Sequence, residues 1–386
     1  MQLIEVTDKP TAKDFIRVNV IINKNDPNYI RPLDKDVAQV FDKEKNKYFR
    51  FGEVKRWILK DDAGYLIGRI AAYANKKYRS KGDEQPTGGI GFFDCINSRE
   101  AADTLFNTAK QWLMDNGFEA MDGPINFGER DRWWGLLVEG FHEPLYCMNY
   151  NQPYYQELFE GYGFKVFFNQ LCWGRQVTGR LPDRFYAGHD KVALDPNFSA
   201  RRPELNHLDK YAQDFSTVYN AAFAGHDGNK QMDIKVAKKL FQTMKPVMDI
   251  NIAWFAYYKD QPIAFYINLP ELNQLFKHLN GNFNLLAKLK FLWLKWRKKN
   301  QKFTGIVFGI TPEYQGKGVD YFMIVEAAKI IQYKTNYTET ELQWQGDFNP
   351  KIINISKNLE FTLTRKLTTY RYLFDRTKEF KRHPIF

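Results

Sequence analysis

The sequence predicts an α/β chain with mixed (α+β) sheets, laid out as two similar halves in tandem, each a mixed β-sheet flanked by helices. Three observations carry this. Hairpin patterns around polar turns are followed, twice, by strand-to-helix passages. Two landmarks recur at one spacing: Trp254 follows Trp57 by 197 residues, and Phe361 follows Phe164 by the same 197, the mark of a duplicated unit. A β-type run at 305–310 enters a glycine-bearing loop that opens a helix, the join of an α/β unit.

In the first half, residues 54–73 read as a hairpin turning at 61–64, 104–116 as a helix and 153–164 as a short helix closing the half. The second half is expected to hold a strand at 191–194, helices at 209–223 and 233–248, and a hairpin over 252–267 turning at 259–262. A strand at 305–310, a helix from Gly318, a strand at 341–345, a helix at 350–359 and a last strand at 362–372 complete it. The helices at 104–116 and 321–333 align on Ala109-Lys110 and Ala328-Lys329 at an offset of 219, which is 22 more than the landmarks. The second half therefore carries extra sequence around 268–302, and the first a compensating excess around 127–150. Gly179, Pro182 and Gly188 interrupt the pattern, so a linker is expected within 176–188, dividing the chain into domains at 1–178 and 189–386.

Of 386 residues, 44% are hydrophobic and 16% aromatic, which supplies sizeable cores and excludes a disordered chain. The net charge of +11 attracts anions: nucleic acid, a membrane surface or a phosphate-rich cofactor. Cys95, Cys147 and Cys172 form no CxxC pair, which excludes a disulfide scaffold and fits a reducing, cytoplasmic setting. The histidines at 142, 189, 207, 226, 278 and 383 form no HExxH pair, so no metal is expected. The polar N-terminus lacks the apolar core of a signal peptide, so export is not expected. The apolar stretch 285–296 is broken by Lys288, Lys290 and Lys295, so no membrane span is expected.

The sharpest local feature is Gly305-Ile306-Val307-Phe308-Gly309-Ile310-Thr311-Pro312-Glu313-Tyr314-Gln315-Gly316-Lys317-Gly318-Val319-Asp320. Gly316 and Gly318 permit close backbone approach, successive N–H groups can converge on one anion, the helix macrodipole adds positive potential, and Lys317 adds a full charge. A pyrophosphate suits such a loop. Its spacing is neither that of a Walker loop nor the GxGxxG fingerprint.

This passage resembles the acyl-CoA loop of the GNAT superfamily of N-acyltransferases, Arg/Gln-x-x-Gly-x-Gly/Ala after a strand, through Gln315, Gly318 and the preceding Pro312-Glu313-Tyr314. Asp320 takes the last Gly/Ala position and reads as a first-turn acid at a helix N-terminus. Asn349 and Phe361 stand in the register of the superfamily's closing Asn-x-x-Ala and Gly-Phe, with Ile352 for the alanine and Glu360 for the glycine. Ser356 stands where the tyrosine that protonates the leaving thiolate commonly lies. In the first half the closing helix resembles the superfamily, but Asp94-Cys95-Ile96-Asn97-Ser98-Arg99-Glu100 replaces the loop, without glycines and with two acids. Gly123-Pro124-Ile125-Asn126 and Leu137-Val138-Glu139-Gly140-Phe141 are similar to segments of a bacterial tandem-GNAT family.

The resemblance implies a degenerate first domain and a second that binds acetyl-CoA or another acyl-CoA through Phe308, Gly309, Ile310, Gln315, Gly316, Lys317, Gly318, Val319, Asp320 and Asn349. It further implies direct acyl transfer to an amine, with backbone N–H groups of Phe308 to Ile310 polarising the carbonyl. Asp347, Glu341 and Tyr370 are the candidates for proton transfer. The basic residues form no recognised module, so no nucleic acid is expected as partner. An acyl-CoA-binding regulator without turnover and a basic nucleic-acid-binding protein are the alternatives.

Two further segments carry open readings. Residues 280–301 hold Leu285, Leu286, Leu289, Phe291, Leu292, Leu294 and Trp296, with six basic residues from Lys288 to Lys299: a lipid-facing amphipathic helix, or a helix packed on the body with a basic outer face. Trp133 and Trp134 lie among alternating charges in a glycine-bounded loop, where they hold a substrate or seal an interface.

Overall fold

The computed structural model describes residues 1–79, 82–223, 231–298 and 300–385; His226 and Lys299 lie outside these. In chain order, β1 (Gln2–Glu5), α1 (Lys9–Asn23) and α2 (Asp34–Val40) precede β2 (Gly52–Lys60), β3 (Leu66–Asn75) and β4 (Thr87–Cys95). Then come α3 (Arg99–Asp115), β5 (Ala120–Gly123), β6 (Leu136–Glu139), α4 (Tyr155–Tyr162) and β7 (Lys165–Gln176). A second round begins with α5 (Asp183–Ala193), β8 (Phe198–Arg201), α6 (Leu208–Phe223), α7 (Ile234–Met244), β9 (Ala253–Tyr258) and β10 (Gln261–Pro270). It continues through α8 (Asn273–Phe276), α9 (Leu285–Trp296), β11 (Lys302–Ile310), α10 (Val319–Lys334), β12 (Glu339–Leu342), β13 (Gln345–Gly346), α11 (Pro350–Asn358) and β14 (Thr362–Leu373). The class is mixed α/β, as expected.

The chain packs as two compact units. The first comprises Met1–Trp173, Phe276–Trp293 and Trp344–Phe386; the second comprises Gly174–Leu275 and Leu294–Gln343. These packing units interleave along the chain, whereas the division at 1–178 and 189–386 concerns sequence halves, and we retain it as a proposal about duplication.

In the first unit the strands run β1-β2-β3-β4-β5-β14-β7, with β6 on β14 and β13 on β7. Strands β4 and β5 are parallel, joined by the α3 crossover. Ser98 caps α3 by accepting from the Ala101 N–H. The helix buries Leu105, Phe106, Ala109 and Leu113, a 3–4-residue spacing, against Ile70, Ile90 and Phe159. Each such large side chain contributes about 1.5–3 kcal/mol by burial. On the other face, Phe15 and Val18 of α1 pack with Phe127, Trp133 and Trp134. Both tryptophans are buried, 5% and 4% exposed. They are core residues of this unit, and the reading of them as exposed substrate-holding aromatics is overturned.

In the second unit the order is β8-β9-β10-β11-β12, with the last residues of β7 beyond β12. The β9–β10 hairpin turns at Lys259 and Asp260, both with positive φ. Strands β11 and β12 are parallel, joined by α10. Helix α5 packs on α10, and a Cβ on Gly188 would stand 2.3 Å from the Tyr321 ring. The connection expected within 176–188 is confined to 177–182, since α5 runs through Gly188, and the strand expected at 191–194 is corrected: it is β8. Phe185, His189 and Val192 are buried at helical spacing, and of residues 191–194 only Val192 belongs to that face. The strand expected at 341–345 is two separate strands, β12 and β13.

Candidate functional site

Strand β11 and helix α10 position the glycine loop. The β11–β12 ladder runs from Lys302–Glu339 to Gly305–Leu342 and stops there. Strand β11 continues to Ile310 against β10 on its other edge. Beyond Gly305 the two parallel strands thus part, and the β12-side edge of Ile306 to Ile310 carries no ladder among the described residues. Phe308 packs edge-on to Tyr266 at 5.9 Å. A Cβ on Gly309 would stand 2.9 Å from the Phe265 ring, so only glycine fits this part of the strand without displacing it.

The loop then folds on itself. The Thr311 N–H donates to the Ile263 carbonyl at 2.9 Å, and Gln315 Nε2 donates to the Ile310 carbonyl at 3.0 Å, closing the loop's base. Gly316 and Gly318 have φ of 72° and 82°, left-handed values that disfavour side chains. A Cβ on Gly316 would meet nothing within 4 Å, so the backbone there borders open space. Gly318 is the N-cap of α10 and offers no side-chain cap. The first-turn N–H groups of a helix have no intrahelical acceptors, so this uncapped end, with Lys317 exposed beside it, fits an anionic phosphate. Asp320 lies in the first turn, and Val319 is fully buried and anchors the helix.

Glu341 belongs to the same unit, opposite Thr304 on the paired part of β12. Its side chain is 1% exposed, and its Oε2 accepts from Lys302 Nζ at 3.0 Å. The remaining expected residues lie in the first unit. The Asp347 carboxylate accepts from the Asn169 N–H at 3.0 Å, from Asn169 Nδ2 at 2.9 Å and from Arg382 Nη2 at 2.7 Å. Asn349 caps α11. The Tyr370 hydroxyl donates to Glu160 Oε1 at 2.8 Å, and burial pushes its ionisation well above the usual phenol range. Ser356, at the position of the superfamily's tyrosine, exchanges hydrogen bonds with the Gln345 side-chain amide. Sequence reasoning missed Lys302, whose only signal was a lone lysine opening a β run.

The first half lacks an equivalent loop. Three residues, Ile96 to Ser98, separate β4 from α3, against eight, Thr311 to Gly318, between β11 and α10. Where β4 and β5 would part, the Ile125 N–H donates to the Ile90 carbonyl at 2.7 Å. A Cβ on Gly91 would stand 1.8 Å from the Ile125 carbonyl oxygen, so this gap is filled by backbone. The Asp94 carboxylate, 2% exposed, meets Arg69 Nε at 2.7 Å, Asn19 Nδ2 at 3.0 Å and the Tyr155 hydroxyl at 3.2 Å.

A hairpin, a parallel strand pair that parts at mid-length and a glycine loop opening the crossover helix define the GNAT fold, and its strand–helix order occurs here twice. Solved structures with this fold cover the chain end to end. The tandem GNAT protein from the clavulanic acid biosynthesis pathway is 10% identical at a TM-score of 0.53, covering 98% of this chain and 100% of that one. The GCN5-related N-acetyltransferase from Sphaerobacter thermophilus is 10% identical at a TM-score of 0.52, covering 98% of each chain. A GCN5-related glucosamine N-acetyltransferase region of a fungal multi-domain β-N-acetylglucosaminidase gives a TM-score of 0.55 at 11% identity; 96% of this chain is covered, and 38% of that longer one. In sequence, the chain is 23% identical over 376 residues to the bacterial ceramide synthase of Caulobacter vibrioides (strain NA1000 / CB15N), covering 96% of this chain and 97% of that protein. It is 23% identical over 366 residues to protein YghO of Escherichia coli (strain K12), covering 91% and 90%. No family model matches the sequence.

Proposed function

We propose that the chain is an acyl-CoA-dependent N-acyltransferase. The observation that carries this is the uncapped, glycine-flanked start of α10 at the end of a strand whose far edge is unladdered. Gln315 to Asp320 would hold the pyrophosphate, and Phe308 to Ile310 would lie along the pantetheine arm. In the reaction an amine adds to a thioester carbonyl, a C–N bond forms, the C–S bond breaks and the thiolate takes a proton. The backbone N–H groups of Phe308 to Ile310 would polarise the carbonyl. Asp347, Glu341 and Tyr370 remain our candidates for moving the proton, and Asn349 remains a cofactor-binding candidate.

The name of the Caulobacter relative, similar along nearly its whole length, favours a long-chain amino alcohol as acceptor and a fatty acyl-CoA as donor; acetyl-CoA is the other donor we propose. Among the described residues no helix is long and apolar enough to cross a membrane, no group of side chains could hold a metal ion, and the three cysteines are buried thiols. We place the protein in the cytoplasm on the three free thiols alone, which fit a reducing compartment.

The test is the thermal shift given by CoA, acetyl-CoA and palmitoyl-CoA, followed by thiol release with sphinganine as acceptor. Ligand that binds only the folded state raises the midpoint by mass action. Lys317→Glu is the variant of choice, because Lys317 is exposed whereas any replacement of Gly318 must adopt φ of 82°. The expected result is a shift with an acyl-CoA that Lys317→Glu weakens about tenfold or more, a reversal of charge beside phosphate. No shift with any acyl-CoA, or an unchanged affinity in Lys317→Glu, sinks the assignment. Binding without thiol release favours the regulator reading, to which the Ser356–Gln345 pair at the usual tyrosine position lends support.

A further inference from the structure

Helix α9 is apolar on two faces. Ala287, Phe291 and Leu294 are buried, 8%, 5% and 5% exposed, and Phe291 packs on Phe276 and Phe283 at 5.5 and 6.3 Å. The opposite face holds Leu285, Leu286, Leu289, Leu292, Trp293 and Trp296, exposed by 51% to 75%. At 100° per residue these six fall within an arc of about 120°. Lys290 lies on one flank of that arc, and Lys288 and Lys295 on the other. The reading of this segment as a body-packed helix with a basic outer face is thus corrected: the outer face is apolar, and the lysines edge it.

We propose that α9 is a membrane-surface helix that docks the protein on an anionic phospholipid bilayer, with Leu285, Leu286, Leu289, Leu292 and the two tryptophans entering the headgroup–acyl boundary. A contiguous exposed apolar stripe marks an interaction site. A stripe of leucines and tryptophans edged by lysines on both sides is the pattern of an interfacial helix, in which apolar burial and attraction to anionic headgroups act together. The net charge of +11 acts in the same direction. The helix has 12 residues and is too short to span, so it lies in the interface plane. The docking stands whether or not the chain transfers acyl groups.

The experiment is co-sedimentation of the full chain with vesicles of phosphatidylcholine and phosphatidylglycerol in equal parts, against vesicles of phosphatidylcholine alone. The wild type is expected to pellet with the anionic vesicles, less so as salt is added, and to stay largely in the supernatant of the neutral ones. The triple variant Leu286→Gln, Leu289→Gln, Leu292→Gln keeps charge and helix propensity. It should need about tenfold more lipid or greater for half-binding, with an unaltered circular dichroism spectrum. Should the triple variant misfold, Leu286→Gln alone, the most exposed of the six at 75%, serves in its place. A wild type that ignores anionic vesicles, equal binding to both vesicle types, or a variant that binds as well as the wild type overturns the proposal. So does a wild-type dimer in sedimentation velocity that the triple variant abolishes while neither binds vesicles, which would make the stripe a face for a second copy.

Discussion

Replacing Asp94 with alanine tests whether the first half has turned its loop position into a structural anchor. Asp94 and Arg69 have side chains only 3% and 6% exposed and are 2.7 Å apart. Arg69 keeps a bond from Nη1 to the Phe15 carbonyl at 2.9 Å and lies 4.8 Å from the Phe15 ring, so it cannot swing out to water without disturbing α1. Asp94→Ala therefore leaves a buried guanidinium without its counter-charge. Breaking such a pair costs about 3–5 kcal/mol. At ~2–3 kcal/mol per M of urea, the unfolding midpoint should fall by about 1–2.5 M. Arg69→Met combined with Asp94→Leu removes both charges; like Asp94→Ala it takes the carboxylate from the Asn19 amide and the Tyr155 hydroxyl, and beyond that it gives up only the Arg69 bond to the Phe15 carbonyl, at about 1–3 kcal/mol. The double variant should thus be more stable than Asp94→Ala alone. Urea unfolding followed by tryptophan fluorescence reads both, and acyl-CoA affinity of the folded protein should not change. A loss below about 1 kcal/mol for Asp94→Ala, accompanied by collapse of acyl-CoA binding or turnover, would refute the structural role and make Asp94 a functional residue.

Two further outcomes are expected. Burial pushes the Cys95 and Cys147 thiols up to about 12, and Cys172 is buried as well; the native protein should release no colour with a thiol reagent at neutral pH until denaturant exposes its thiols, and rapid native labelling would contradict this. Burial lowers His383 below its ordinary value, its ring stacking on Phe348 at 4.1 Å. The unfolded chain then binds that proton more readily, so the contribution of His383 is complete above about pH 6.5 and is lost as pH falls through the lower folded value. Limited proteolysis should release the C-terminal segment faster on acidification, and His383→Phe should flatten that dependence.

What was legible in the sequence was the local chemistry. The α10 loop could be read because two glycines, a lysine and a helix start lie within a few residues of one another, and the structure gives both glycines the left-handed backbone that only a missing Cβ makes easy. The hairpins were legible for the same reason. Helix α5 was hidden because Gly188 reads as a breaker, and only its 2.3 Å approach to Tyr321, a contact between distant residues, explains a glycine inside a helix. The outer face of α9 was hidden because an all-round apolar helix does not say which face is buried; Phe276 and Phe283 decide that. The place of β14 was the least legible: spacing assigns it to the end of the second half, yet it lies in the first unit and pairs with β5 through Tyr370–Gly123.

That last point bears on how the two halves came to differ. Apart from α8 and α9, inserted between β10 and β11, the strand–helix order is shared by both, since hairpin, crossover and buried faces are what fold each sheet. The differences gather at the parting of the parallel strands. In the first half Ile125 bonds Ile90 across the gap, Gly91 admits its carbonyl and Asp94 holds Arg69, so every polar group named there is used by the protein itself. In the second half β11 runs on past Gly305 with one edge unladdered and ends in an uncapped helix start. Uncapped N–H groups and open strand edges that face solvent bond water, and a ligand with matching acceptors can displace that water. The gap is filled in one half and open in the other, and that difference is the ground on which we propose the second half, not the first, as the acyl-CoA site.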